Sequence, residues 1–172
     1  STLAFGSDGV CDACKYAEQK KSINWIDREK ELVELCNRFR RSDGRYDAVV
    51  PGSGGKDSVM AAHILKYKYN MNPILVTWPP AIYTGIGRRN FDAWLNAGFA
   101  NYTYNQNKKL HRFLTKNAFL NLGHPFQPFI LGQKNLAPRL SVLLDIPLVV
   151  FGENEAEYGN AIQDNEEPTR DP

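Results

Sequence analysis

Between an apolar run that ends at Pro51 and an apolar-periodic stretch that begins near Ser58 lies the segment Gly52-Ser53-Gly54-Gly55-Lys56-Asp57-Ser58. Glycines between a strand and a helix let successive backbone amides turn toward one point, and the helix start adds the positive end of its dipole. Such a turn is an anion cradle. The hydroxyls of Ser53 and Ser58, the amides of Gly54 and Gly55 and the ammonium of Lys56 can all donate to the oxygens of a phosphate group. Asp57 adds a hard carboxylate of the kind that holds Mg²⁺ on phosphates. The mononucleotide P-loop is excluded, because it requires Gly where Val50 stands and a hydroxyl residue where Asp57 stands. A second chemical pair, Cys11 and Cys14, has the two-residue spacing of a metal knuckle and would supply half of a tetrahedral Zn²⁺ site. Cys36 falls on an apolar helical stripe and reads as core, and His63, His111 and His124 have no ligand spacing among them.

The elements that position these residues follow from hydrophobic periodicity. Strands are predicted over 46–51, 74–78, 99–104 and 146–151. Helices are predicted from an Asn24 cap through Phe39, over 58–69, over 87–97, and from about Lys108 to Leu122 with Leu110, Phe113, Leu114 and Ala118 on one face. Gly123 stops that helix, and a Pro125/Pro128 turn leads into a further helical region through Leu144. Residues 1–22, poor in large apolar side chains, read as an irregular lead. Strand and helix in alternation predict an α/β fold, a parallel twisted sheet with helices on both faces. Ligands of such sheets bind beyond the carboxyl ends of the strands, where the loops 52–58, 79–87 and 152–159 should gather. The division is a lead segment at 1–44, a nucleotide-binding domain at 45–159 and a polar tail at 160–172.

Composition bounds the function classes. A chain of 172 residues with 42% hydrophobic and 23% charged side chains has the make-up of one globular unit. The most apolar stretch, 136–151, is interrupted by Pro138, Arg139, Asp145 and Pro147, so no membrane span is expected. Three cysteines are too few for a disulfide scaffold, and with no apolar leader before Asp8, Asp12 and Lys15 the chain reads as cytoplasmic. Through Gly152 there are 20 basic and 12 acidic side chains, and from Glu153 onward one and seven. The basic body suits an anionic ligand.

The loop Ser-Gly-Gly-x-Asp-Ser resembles the pyrophosphate (PP) loop of the N-type ATP pyrophosphatases. Gly9-Val10-Cys11-x-x-Cys14, Ile23-Asn24-Trp25, Tyr46-Asp47-Ala48-Val49-Val50-Pro51, Asn72-Pro73-Ile74-Leu75-Val76-Thr77 and the 152–159 block are similar to one branch of that group, the N-acetyl sugar amidotransferases. The resemblance implies a PP-loop, adenine nucleotide alpha hydrolase-like domain. It also implies cleavage of ATP between the α and β phosphates, adenylation of a sugar acetamido oxygen and displacement of AMP by ammonia, in the making of bacterial surface sugars. Ser53, Gly54, Gly55, Lys56, Asp57 and Ser58 would then hold the phosphates, and Thr77 and Trp78 the adenosine. Arg88 and Arg89 would meet the phosphates or a sugar nucleotide. Glu153, Asn154 and Glu155 would stand at the mouth of the site, with Lys56, Asp57 and Glu153 closest to the chemistry. No cysteine follows the loop to serve as a glutaminase nucleophile, so a separate ammonia-supplying subunit is the implied partner. The alternatives are a tRNA-modifying sulfur transferase or ligase using the same adenylation, disfavoured because all three cysteines precede the loop, and a nucleotide-binding module without chemistry.

Overall fold

The computed structural model describes residues 5–153. Two compact units result: Glu34–Gly152, and a smaller one comprising the described residues through Val33 together with Glu153. In chain order the elements are α1 (Asp12–Lys21), α2 (Trp25–Phe39), β1 (Ala48–Pro51), α3 (Lys56–His63), β2 (Pro73–Thr77), α4 (Gly85–Leu95), β3 (Asn101–Thr103), α5 (Lys108–Leu122), α6 (Gln127–Leu143) and β4 (Leu148–Val149). The expected irregular lead is corrected by α1. Its helix formers are mostly Lys, Gln, Glu and Ala, so it lacks an apolar stripe, and the Cys11 sulfur caps it by accepting from the Cys14 amide.

Within Glu34–Gly152 the four strands form one all-parallel sheet in the order β3-β2-β1-β4, an α/β arrangement of the Rossmann-like kind. The two inner strands are nearly all apolar, as expected of strands covered on both faces. Val49, Ile74 and Val76 pack against Leu136, Ala137 and Leu140 of α6, with Ile146 completing the cluster. Side chains alternate along a strand, so Thr77 points to the opposite face, where Trp94 of α4 donates its indole N–H to the Thr77 hydroxyl at 3.2 Å. Helices therefore cover both faces.

Buried Asp47 aligns the two inner strands at their amino ends: its carboxylate accepts from the Asn72 amide at 2.8 Å, and its own amide donates to the Asn72 carbonyl. The strands are shorter than periodicity predicts, β4 having only two residues, because ladder pairing with β1 is limited to Ala48↔Leu148 and Val49↔Val149. The helix expected over 58–69 starts at Lys56 and finishes as one wider π turn, Ile64–Lys68, before Asn70 takes a left-handed φ of 53°.

The predicted span of α5 is matched residue for residue. The Asn107 carboxamide oxygen accepts from the amides of Lys109 and Leu110, both at 3.1 Å, and Gly123 closes the helix at φ 66°. Asn107→Ala is expected to cost about 1 kcal/mol, read as a lowered urea midpoint at unchanged slope; an unchanged midpoint would show that the cap contributes nothing. Leu110, Phe113, Leu114 and Ala118 fall on one side of the helix as expected, but only the Ala118 edge of that side meets the core. Ala118 is buried, with His111 and Thr115 half-buried beside it, whereas Leu110, Phe113 and Leu114 face solvent.

Candidate functional site

Along the sheet the chain runs from β1 outward to β2 and β3, then returns to place β4 on the other side of β1. This reversal opens a crevice at the carboxyl ends of β1 and β4, the customary ligand position in an open parallel sheet. The loop 52–55 leaves β1 at this point and enters α3.

Three close approaches set the loop's shape. Gly52 donates its amide to the Val76 carbonyl at 2.9 Å and accepts from the Thr77 hydroxyl at 2.8 Å, which binds the loop to the end of β2. Gly54 has φ +90°, and a Cβ there would stand 2.4 Å from the Asn90 carbonyl oxygen of α4. Only glycine meets both demands. Gly152, just past β4, lies against the first turn of α3, where a Cβ would come within 2.6 Å of the Asp57 carbonyl carbon and the Ser58 nitrogen. Gly152 opens the 152–159 loop that was expected to gather with 52–58, and it does lie there; Asn90 was not among the sequence-derived site residues. Gly152 carried a signal, a glycine directly after the last strand; Asn90 carried none.

Helix α3 opens with Gly55 as its N-cap, and no side chain caps it. By helix geometry the amides of its first turn therefore lack intrahelical acceptors and point into the crevice as donors. Lys56 is exposed, with its ammonium 2.6 Å from Asp57. Ser58 donates its hydroxyl to the Gly55 carbonyl at 3.0 Å. Ser53, Gly54, Asp57 and Ser58 are half-buried and Gly55 is exposed, so all six expected loop residues lie on one turn that is at least partly open to solvent.

At the end of β2, Thr77 is fully buried, and its hydroxyl also lies within 3.4 Å of the Asn101 amide. Its side chain is committed to shaping the loop rather than open to a ligand. Trp78 is half-buried and stacks on Tyr104, the residue after β3, with centroids 5.0 Å apart and planes 11° from parallel. Gly132, inside α6, makes room for that indole, since a Cβ there would meet Trp78 Cε2 at 2.1 Å. The Trp78 Nε1 is buried without an acceptor among the described residues.

Arg88 and Arg89 lie in the first half of α4. Arg88 Nε bonds Asp92 at 3.0 Å, and the guanidinium covers the rings of Tyr83 and Phe91 at 5.9 and 5.7 Å. Asp92 raises the Arg88 pKa further, and burial raises that of the Tyr83 phenol. Arg89 is exposed.

The remaining sequence-derived residues belong to the smaller unit or lie outside the described residues. Glu153 is exposed, and Asn154 and Glu155 are not among the residues described. Cys11 and Cys14 meet at a tight knuckle: Gly9 has φ +71° and donates to Gly6, Gly6 donates to Val10, and Cys11 is the N-cap of α1. Two thiols at such a turn fit half of a zinc site, and among the described residues no group of three or more potential metal ligands is found. In the metal-free chain the hydrogen bond with Cys11 raises the pKa of the Cys14 thiol. Less thiolate is then present at a given pH, so iodoacetamide should label Cys14 more slowly at pH 8 than it labels an unstructured cysteine peptide. Labelling at the peptide's rate would show that the knuckle does not hold the pair together. No helix among the described residues is long and apolar enough to cross a membrane.

No family model matches the chain. A stretch of 53 residues is 38% identical to an uncharacterized protein of Methanocaldococcus jannaschii. That stretch covers 31% of this chain and 19% of that protein, so the likeness reaches about a fifth of the relative's length.

Proposed function

We propose that the chain is the ATP-binding part of an AMP-forming amidotransferase acting on an N-acetylated sugar or sugar nucleotide. The observation that carries this reading is the uncapped start of α3 behind Ser53-Gly54-Gly55 at the β1/β4 reversal, closed by Gly152. In this reading the amides of that turn, the hydroxyls of Ser53 and Ser58 and the ammonium of Lys56 hold the β and γ phosphates. The acetamido oxygen attacks the α phosphorus as the bond to the β-phosphate oxygen breaks, and pyrophosphate leaves. Ammonia adds to the activated carbon, the carbon–oxygen bond breaks, and AMP departs with the former amide oxygen. An acetamidino group remains.

The loop's part is to make pyrophosphate a good leaving group by donating to charge that builds as the bond breaks. Asp57 would hold Mg²⁺ on the phosphates, where the ion neutralises charge. Trp78, fixed by Gly132 and Tyr104, would border the adenosine. Arg89 is proposed to meet the sugar nucleotide. A separate glutaminase would supply the ammonia.

The test incubates the full-length protein with ATP, ammonia and UDP- or CMP-linked acetamido sugars. AMP, pyrophosphate and a sugar with NH in place of oxygen are expected, and an oxygen label in the acetamido group should appear in AMP. Release of ADP would refute the mechanism, and AMP formation that requires tRNA would replace it with the sulfur-transfer alternative.

A further inference from the structure

Helix α5 presents its apolar stripe to solvent. Leu110, Phe113, Leu114 and Leu120 are 54, 62, 43 and 65% exposed, and at about 100° per residue they share one sector of the helix about 120° wide. The inward side holds Ala118, His111 and Thr115, and the Thr115 hydroxyl is bonded to the His111 carbonyl of the same helix. Beside the stripe, on one flank only, stand Lys109, Arg112 and Lys116, all exposed and without an ion pair among the described residues. An exposed apolar strip bordered by one sign of charge marks a surface that is covered by a partner.

Charge and composition narrow the occupant. A second copy laid antiparallel across a two-fold axis would bring each basic flank against its own equivalent, which is repulsive. Residues 153–172 are acidic and could neutralise the flank, but the large apolar side chains within that span are Tyr158 and Ile162, too few to cover the stripe. A lipid surface fits poorly, because Asn117 and Asn121 fall within the same sector. Their NH₂ groups bond carbonyls of their own helix at 3.1 and 2.9 Å, leaving amide oxygens that hydrocarbon cannot satisfy and a partner's donors can. We propose that α5 docks an amphipathic helix of another polypeptide, whose apolar face covers Leu110, Phe113, Leu114 and Leu120 and whose acidic flank meets Lys109, Arg112 and Lys116. This inference does not depend on the nucleotide chemistry.

Two fluorescent synthetic helical peptides with the same leucine stripe, one flanked by Glu and the other by Lys, serve as probes against the full chain. Fluorescence anisotropy should show the Glu peptide binding at least about tenfold more tightly, with an affinity that falls as salt rises. Phe113→Ser should remove that binding, and the surface pair Lys109→Glu with Lys116→Glu should invert the preference while leaving the circular dichroism spectrum unchanged. Equal binding of the two peptides, or binding of neither, overturns the proposal. So does a dimer, seen by sedimentation, that Phe113→Ser dissolves, or stronger capture by phosphatidylglycerol vesicles than by the Glu peptide.

Discussion

Gly54→Ala is expected to lower ATP-dependent AMP release by at least about a hundredfold, the scale of losing oriented donors at a developing negative charge. The effect has two causes at one position. A residue with a side chain at φ +90° is strained by roughly 1 to 3 kcal/mol. Its Cβ would also stand 2.4 Å from the Asn90 carbonyl oxygen, a backbone atom inside α4 that cannot swing aside. The loop must then lift off α4, which turns its amides away from the crevice. Measured ATP affinity should fall with the rate, because the ground state uses the same donors. Wild-type affinity within twofold would mean that the nucleotide does not bind at this turn, and the reading of the site would fail with it.

The second large effect lies away from the loop in sequence. Trp94 is almost wholly buried, packs its ring against Gly52 and donates its indole N–H to Thr77. Trp94→Ala should destabilise the unit Glu34–Gly152 by about 3 to 5 kcal/mol, through lost burial and the cavity left behind. Trp94→Phe keeps most of the packing but leaves the Thr77 hydroxyl one donor short, a loss of about 1 kcal/mol. Urea unfolding separates the two, and a cost below about 1 kcal/mol for the alanine variant would show that Trp94 is not part of the core. Because Thr77 donates to Gly52, both variants should also weaken ATP binding, the alanine variant more so.

These two residues mark where sequence and structure part. Gly54 was legible because its role is local: a glycine between an apolar strand and an apolar-periodic helix signals an unusual φ whatever surrounds it. The same locality explains the agreement on α5, whose cap, periodicity and terminal glycine act within a few residues of one another. The inner strands were legible because burial on both faces leaves an unbroken apolar run. Helix α1 was not, since ten residues of mostly polar helix formers give no periodic signal.

By itself the sequence determined the alternation of elements, the parallel α/β class and the placing of a glycine turn at a helix start. Only the tertiary structure decided that Asn90 bounds that turn, how closely Gly152 approaches it, and that Thr77 is spent on shaping it. It likewise decided that Gly132 seats Trp78 and that α5 turns its leucines outward. Each of these is a contact between segments far apart in the chain. Dihedral preference and hydrophobic period are set by near neighbours, whereas strand order and the side of a helix that meets the core emerge only when distant surfaces pack together.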